Sequence, residues 1–182
     1  MAKYVAFLRG INVGGHKAIK MEKLKKTFDA MGFANVKTLL ASGNVLFETQ
    51  KSNERSIARE IESTLAGTFG HQIGVLIRAV VGLQKLENKG PFSGIEVTPQ
   101  IRLYVTFISE KPENNLEIPY ESPDGNFKII SATSDEVLSV VTLSPGSRTV
   151  DLMKILEKKL GKKVTTRNWN TIQRILKAAQ AG

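Results

Sequence analysis

N35-V-K-T-L-L-A-S-G-N-V-L-F-E-T49 holds two short β-prone runs, Asn35 to Ala41 and Asn44 to Thr49, joined at Ser42-Gly43-Asn44. Gly and Asn tolerate positive φ, so the triplet reads as a tight turn between paired strands. Upstream, Lys3 to Arg9 is short, apolar and β-prone, a buried strand with Arg9 at its carboxyl end. From about Ala18, Met21, Leu24, Phe28 and Met31 recur at helical spacing until Gly32 supplies a stop. Downstream, Asn53 can cap a helix with the stripe Ile57, Ile61 and Leu65, ended by Gly67, and Ile73 to Ile77 makes a further strand. The order β, α, β, β, α, β is the split βαβ arrangement of a ferredoxin-like sheet with helices on one face, assigned to residues 1–79.

Residues 80–182 read as a second α+β unit, packed with the first into one α+β protein. Val80, Leu83 and Leu86 suggest a short helix, broken by Gly90-Pro91. Ile101 to Ile108 is a strand, and Lys111 to Gly125 holds three of the six prolines and reads as a surface excursion. Phe127 to Ile130 and Glu136 to Leu143 read as two strands. Helices are expected from Val150 to Leu160, ended by Gly161, and from about Arg167 to Ala179. This order admits a degenerate copy of the first half, with no repeated motif identified to carry it.

Composition excludes several classes of function. With 182 residues and 41% hydrophobic content the chain can bury a real core, which rules out disorder. No cysteine means no disulfide framework, zinc ribbon, thiol nucleophile or iron–sulfur centre, and only His16 and His71 are left for imidazole chemistry. Neither a metal nor a cofactor is expected. The apolar run Tyr4 to Leu8 is too short for a signal-peptide core, and no later run approaches the roughly 18 residues that span a bilayer. A soluble cytoplasmic protein is the expectation. The net charge of +9 is uneven: residues 1–50 carry +5, residues 51–150 carry −2 and residues 151–182 carry +6. Two basic ends around a slightly acidic middle would present one positive face to an anion if the fold brought them together.

Two segments in those basic ends hold the candidate binding residues. In R9-G-I-N-V-G-G-H-K17, between a strand and a helix, glycines let backbone N–H groups approach an anion while Arg9 and Lys17 add cations. The competing explanation is a glycine turn that makes room for close packing. The segment is not a Walker A loop, because His16 separates Gly15 from Lys17 and Ala18 stands where a hydroxyl would hold magnesium; GxGxxG is also absent. In T165-T-R-N-W-N-T171, Thr166 or Asn168 can cap the last helix. Trp169, Ile172, Leu176 and Ala179 form its core stripe, with base stacking the alternative for Trp169. Arg167, Asn170, Arg174 and Lys177 recur on another face, where they can grip phosphates or stand as a solvated surface. The turn at Ser42-Gly43-Asn44 is expected at the opposite end of the sheet from the glycine loop, which keeps the two apart. Catalytic templates fail: there is no HExxH and no GxSxG, and His71 has no identifiable acid partner. His16 is better placed, in the glycine loop where a neighbouring anion would favour its charged form, against the reading of an incidental histidine.

R9-G-I-N-V-G-G15, the helix with Met21 and Leu24, T38-L-L-A-S-G-N-V-L-F47 and T166-R-N-W-N-T171 together resemble the bacterial domain-of-unknown-function 1697 family. The resemblance spans nearly the whole chain, with residues 80–130 carrying little of it. It implies an α+β protein built on ferredoxin-like units and brings no activity, cofactor or catalytic residue.

The sequence therefore leads to a basic protein that binds a phosphate-bearing ligand, nucleic-acid backbone first, through Arg9, Asn12, Gly14, Gly15 and Lys17 in the loop and Arg167, Asn170 and Arg174 on the helix. The strand N44-V-L-F-E-T49 lacks the basic-Gly-aromatic pattern of an RNA-recognition sheet, so binding would be backbone-led. The alternatives are a phosphorylated small molecule, bound or transformed at the glycine loop, and a protein partner docked on the last helix.

Overall fold

The computed structural model describes residues 1–13, 15, 18–111, 116–145 and 152–182, with 152 and 153 described by backbone alone. Among the described residues, five helices accompany two antiparallel sheets. The chain divides into two units, one of Met1–Glu87 with Arg174–Gly182 and one of Asn88–Gln173.

The first unit contains β1 (Ala2–Leu8), α1 (Met21–Ala30), β2 (Ala34–Leu39), β3 (Asn44–Thr49), α2 (Glu54–Phe69), β4 (Val75–Ala79) and α3 (Val80–Asn88, all but its last residue). Its sheet runs in the order β2-β3-β1-β4, with every neighbouring pair antiparallel. Leu24 and Phe28 of α1 and Ile57, Ile61 and Leu65 of α2 cover the face formed by Tyr4, Ala6, Leu8, Val45, Phe47 and Ile77. Val5, Phe7, Leu46 and Leu76, on the other face, are buried as well. Burial on both faces is why β1 reads as a continuous apolar run rather than an alternating one.

Both edges of this sheet carry features that discourage a further strand. On α2, the Glu62 carboxylate accepts the Val75 backbone N–H at 2.9 Å and Glu54 accepts that of Ala79 at 2.9 Å, so the helix takes up two N–H groups of the β4 edge. At the β2 edge the register shifts between Ala34 and Lys37, where Asn35 takes φ +51°.

The second unit contains β5 (Ile101–Ile108), β6 (Tyr120–Glu121), β7 (Phe127–Ala132), β8 (Glu136–Thr142), α4 (Leu152–Leu160) and β9 (Val164–Asn168). The helix α5 (Trp169–Gln180) begins here and ends in the first unit. Its sheet order is β6-β7-β8-β5-β9, again antiparallel throughout. Leu156 and Leu160 of α4 close over Ile108, Phe127, Ile129, Val137, Val141 and Val164.

Three sequence expectations need correction. The α2 helix runs through Gly67 and stops at Gly70, which takes the left-handed φ of +77° and donates to the Ala66 carbonyl. The hairpin turn is Leu40–Gly43, and Asn44 lies inside β3, fully buried, its amide donating to the Leu39 carbonyl at 2.8 Å. V164-T-T-R-N168 is a strand, paired along β5 from Tyr104 to Ile108, and α5 starts only at Trp169. Two Thr, an Arg and an Asn in five residues carry no apolar alternation, so that strand exists through its ladder with β5 rather than through local pattern.

Apart from β6, the two sheets share one order, β2-β3-β1-β4 against β7-β8-β5-β9. The hydrogen bonds that finish their central strands also correspond. Leu8 N–H donates to Gly43 O at 2.8 Å and Arg9 N–H to Gly74 O at 2.9 Å. In the second unit Ile108 N–H donates to Asp135 O at 2.9 Å and Ser109 N–H to Lys163 O at 3.2 Å.

Candidate functional site

In the first sheet β1 and β2 are each antiparallel to β3 and therefore parallel to one another, so both end on the same side. The glycine loop after β1 and the turn after β2 consequently meet, and the expectation that they lie at opposite ends is overturned. The α2–β4 loop joins them through the Arg9–Gly74 bond.

Asn12 fixes the arrangement. It sits at φ +55°, a conformation that Asn adopts more readily than most residues. Its Oδ1 accepts the Ile19 N–H at 2.7 Å, and its Nδ2 donates to Ile19 O at 3.2 Å and Ala41 O at 2.8 Å. One side chain thus closes the glycine loop on itself and ties it to the hairpin turn. Beneath this bridge, a Cβ on Gly43 would lie 2.6 Å from Ile11 Cδ1 and 2.9 Å from Leu8 Cβ, so the two loops touch there through glycine alone. Gly10 and Gly15 differ: both have positive φ, both are exposed, and a Cβ on either would meet nothing within 4 Å. Close packing therefore explains Gly43, whereas at Gly10 and Gly15 only the left-handed backbone calls for glycine.

Arg9 is partly buried just past the carboxyl end of β1, with its side chain over Gly74, where a Cβ would lie 3.7 Å from Arg9 Cβ. Desolvation lowers its pKa below the ordinary arginine value while leaving it a cation at neutral pH. Leu40 in the turn has φ +62°, and all three non-glycine residues with positive φ among the described residues, Asn12, Asn35 and Leu40, belong to the first unit. His71, in the third loop, donates from Nδ1 to Phe69 O at 3.1 Å, and its buried Nε2 has no hydrogen-bond partner. Gly14, His16 and Lys17 lie outside the described residues.

The second basic segment is rearranged relative to the sequence reading. Arg167 is not on the helix with Asn170, Arg174 and Lys177; it lies in β9 opposite Val105, partly buried, its Nη1 donating to Thr166 O at 3.1 Å. Burial pushes its pKa down to about 10. Asn170, Arg174 and Lys177 remain exposed on α5, and the Asn168 carboxamide caps the helix by accepting the Asn170 N–H at 3.0 Å. Trp169 is buried edge-on against Phe92 at 5.5 Å between ring centroids, which makes it a core anchor and removes it as a base-stacking platform. On α1, Lys25 and Lys26 pair with Asp29 at 2.7 Å and Glu22 at 2.8 Å.

Among the described residues no three His, Asp or Glu side chains gather as a metal site, and no helix is long and apolar enough to cross a membrane.

A sequence model of the family described as "Protein of unknown function (DUF1697)" matches residues 1–137, the span that holds the glycine loop, the hairpin and β5. The chain belongs to the DUF1697 family. No curated protein matches it. The chain is similar in fold to the conserved bacterial protein SP0830 from Streptococcus pneumoniae, at 17% sequence identity and a TM-score of 0.67, covering 97% of this chain and 98% of that one. At that identity the likeness concerns architecture alone. The DUF1697 assignment agrees with the resemblance carried by the RGINVGG and LLASGNVLF segments.

Proposed function

We propose that this DUF1697 protein binds a compact phosphate-bearing ligand at the loop end of its first unit. The observation that carries this is the Asn12 bridge, which merges two glycine-containing loops beside a partly desolvated Arg9. Exposed glycines at positive φ, Gly10 and Gly15, let backbone N–H groups approach an anion, and the neighbouring guanidinium supplies charge. Strained backbone held by surrounding hydrogen bonds is commonest where a ligand is gripped. Calorimetric titration with inorganic phosphate and with phosphate monoesters tests the proposal: binding that Arg9→Gln weakens supports it, and absence of any binding sinks it.

Nucleic-acid backbone is the second reading, favoured by the exposed Asn170, Arg174 and Lys177 face of α5. It is narrower than the sequence suggested, because Arg167 has left that face and two lysines of α1 are paired with acids. A series of affinities against salt decides it, since backbone contacts make log affinity fall linearly with log salt. A flat response removes the nucleic acid.

We also infer that each unit is a ferredoxin-like split βαβ and that the chain is a degenerate duplication. The shared strand order and matched terminal hydrogen bonds support this. Aligned on those bonds, Y4-V-A-F-L8 matches Y104-V-T-F-I108, and V75-L-I-R78 matches V164-T-T-R167. The match continues as L83-Q-K-L86 against I172-Q-R-I175, and in both copies the Arg donates to the carbonyl of the residue before it. A cytoplasmic location belongs to the same proposal, supported by the apolar run Tyr4 to Leu8 being too short for a signal-peptide core.

A further inference from the structure

Two apolar side chains at the loop end serve no evident purpose in the fold. Val13 is 67% exposed, and Leu40 is 43% exposed while holding a left-handed φ of +62°. Leucine is a poor choice there on both counts: its Cβ disfavours the backbone conformation, and its side chain stays half in water. Glycine or asparagine would fill the position with less strain. The Asn12–Ala41 hydrogen bond of 2.8 Å brings the two segments side by side, with Val13 and Leu40 each one residue from an end of that bond.

The second unit shows that the topology does not require a strained residue in the turn. Its corresponding turn, between β7 and β8, is joined to the central strand by the equivalent Ile108–Asp135 bond. There the turn is closed by Thr133, whose hydroxyl accepts the N–H groups of Asp135 and Glu136 at 3.2 Å each. No non-glycine residue of the described turn takes positive φ. The same end carries paired charge, with Lys163 bound to Glu110 at 2.6 Å. The strained leucine is therefore particular to the turn of the first unit, the unit whose loop end carries Arg9.

We infer that Val13 and Leu40 are specificity-determining contacts for the apolar body of the ligand, so that the first unit selects phosphate monoesters with an apolar body over inorganic phosphate or polar sugar phosphates. This rests on the proposed phosphate-binding role of the same loop end. The phosphate takes the loop amides and Arg9, and the remainder of the molecule covers the two side chains. Burial of that surface supplies the affinity that a solvated phosphate contact alone lacks.

The experiment is calorimetric titration of the full chain with inorganic phosphate, ribose 5-phosphate, a nucleoside monophosphate and a short alkyl phosphate, for the wild type, Leu40→Gly and Val13→Ser. The inference expects at least one apolar-body ester to bind about tenfold tighter than ribose 5-phosphate. The nucleoside and alkyl arms distinguish a flat aromatic body from an aliphatic one. Leu40→Gly should bring that ester down to the affinity of ribose 5-phosphate, leave ribose 5-phosphate itself unchanged, and leave Tm equal or raised, because glycine relieves the backbone. Equal affinities for all esters in the wild type, or equal weakening of all of them in Leu40→Gly and Val13→Ser, overturns the inference while leaving phosphate binding standing. Failure of every phosphate to bind the wild type overturns both.

Discussion

Gly43→Ala is the sharpest perturbation of the loop end. The added methyl would sit 2.6 Å from Ile11 Cδ1, 2.9 Å from Leu8 Cβ and 3.1 Å from Ile11 Cγ1. The Ile11 tip can rotate away, but Leu8 Cβ belongs to the end of β1 and cannot move without the strand. Overpacking of this kind costs about 1–3 kcal/mol. The backbone adds a second cost, since φ is +85° at this position and the left-handed region costs an L-residue roughly 1–2 kcal/mol. The total is about 2–5 kcal/mol, which for a chain of this size lowers Tm by something like 2–4 °C per kcal/mol. Gly10→Ala is the control, with φ +66° and no atom within 4 Å, so it carries the backbone cost alone. Urea denaturation of both variants, followed by circular dichroism, measures the difference. Equal destabilisation by the two would refute the claim that the glycine loop and the hairpin turn are in direct contact.

Asn12→Ala removes three hydrogen bonds and puts alanine at φ +55°, with an expected loss of about 2–4 kcal/mol in urea denaturation, whereas Asn12→Gly keeps the backbone and should lose less. Glu62→Ala leaves the Val75 N–H without its carboxylate and should cost about 1–3 kcal/mol by the same assay. Chromatography should also show a greater tendency to self-associate through the opened β4 edge. For Arg167, burial lowers the folded pKa from the ordinary arginine value to about 10. The folded chain then gives up this proton before the unfolded chain does, so the contribution to stability rises with pH between those two values and the charge is a cost at neutral pH. Arg167→Met should accordingly be neutral or stabilising at pH 7, by at most about 3 kcal/mol in calorimetric unfolding, and should leave phosphate-ester affinity unchanged. A large loss of stability would instead make the guanidinium a structural contact.

Much of the first unit is legible in the sequence because its elements are encoded locally. Tyr4 to Leu8, the Leu24 and Phe28 stripe, the Asn53 cap and Ile57, Ile61 and Leu65 all behave as their spacing predicts. What fails is what depends on partners distant in sequence. β9 is a strand because β5 pairs with it, and moving Arg167 from helix to strand removes one residue from the proposed basic stripe. Gly67 has every appearance of a helix stop, but the helix continues to bury itself as far as Phe69 and stops where Gly70 can turn left-handed.

The loop-end site is within reach of the sequence through two signals that local pattern passes over. The ends of β1 and β2 coincide in any sheet of the order β2-β3-β1-β4, so the element order alone places the RGINVGG loop beside the LLASGN turn. The proposed duplication also has a readable trace, Tyr-Val-x-Phe at positions 4–7 and again at 104–107. Positive φ at Leu40 is different in kind. Nothing in its type or its neighbours announces it, and only the structure reveals a leucine held where glycine is preferred.

The central claim is that the merged loops of the first unit receive a phosphate group. Its most direct test is a titration of the isotope-labelled protein with a phosphate monoester, followed through backbone amide chemical shifts. The account predicts saturable shifts concentrated at Gly10, Gly15 and the Leu40–Gly43 turn, with the β7–β8 turn of the second unit unmoved. Shifts confined to α5, or spread evenly over exposed lysines, would contradict it.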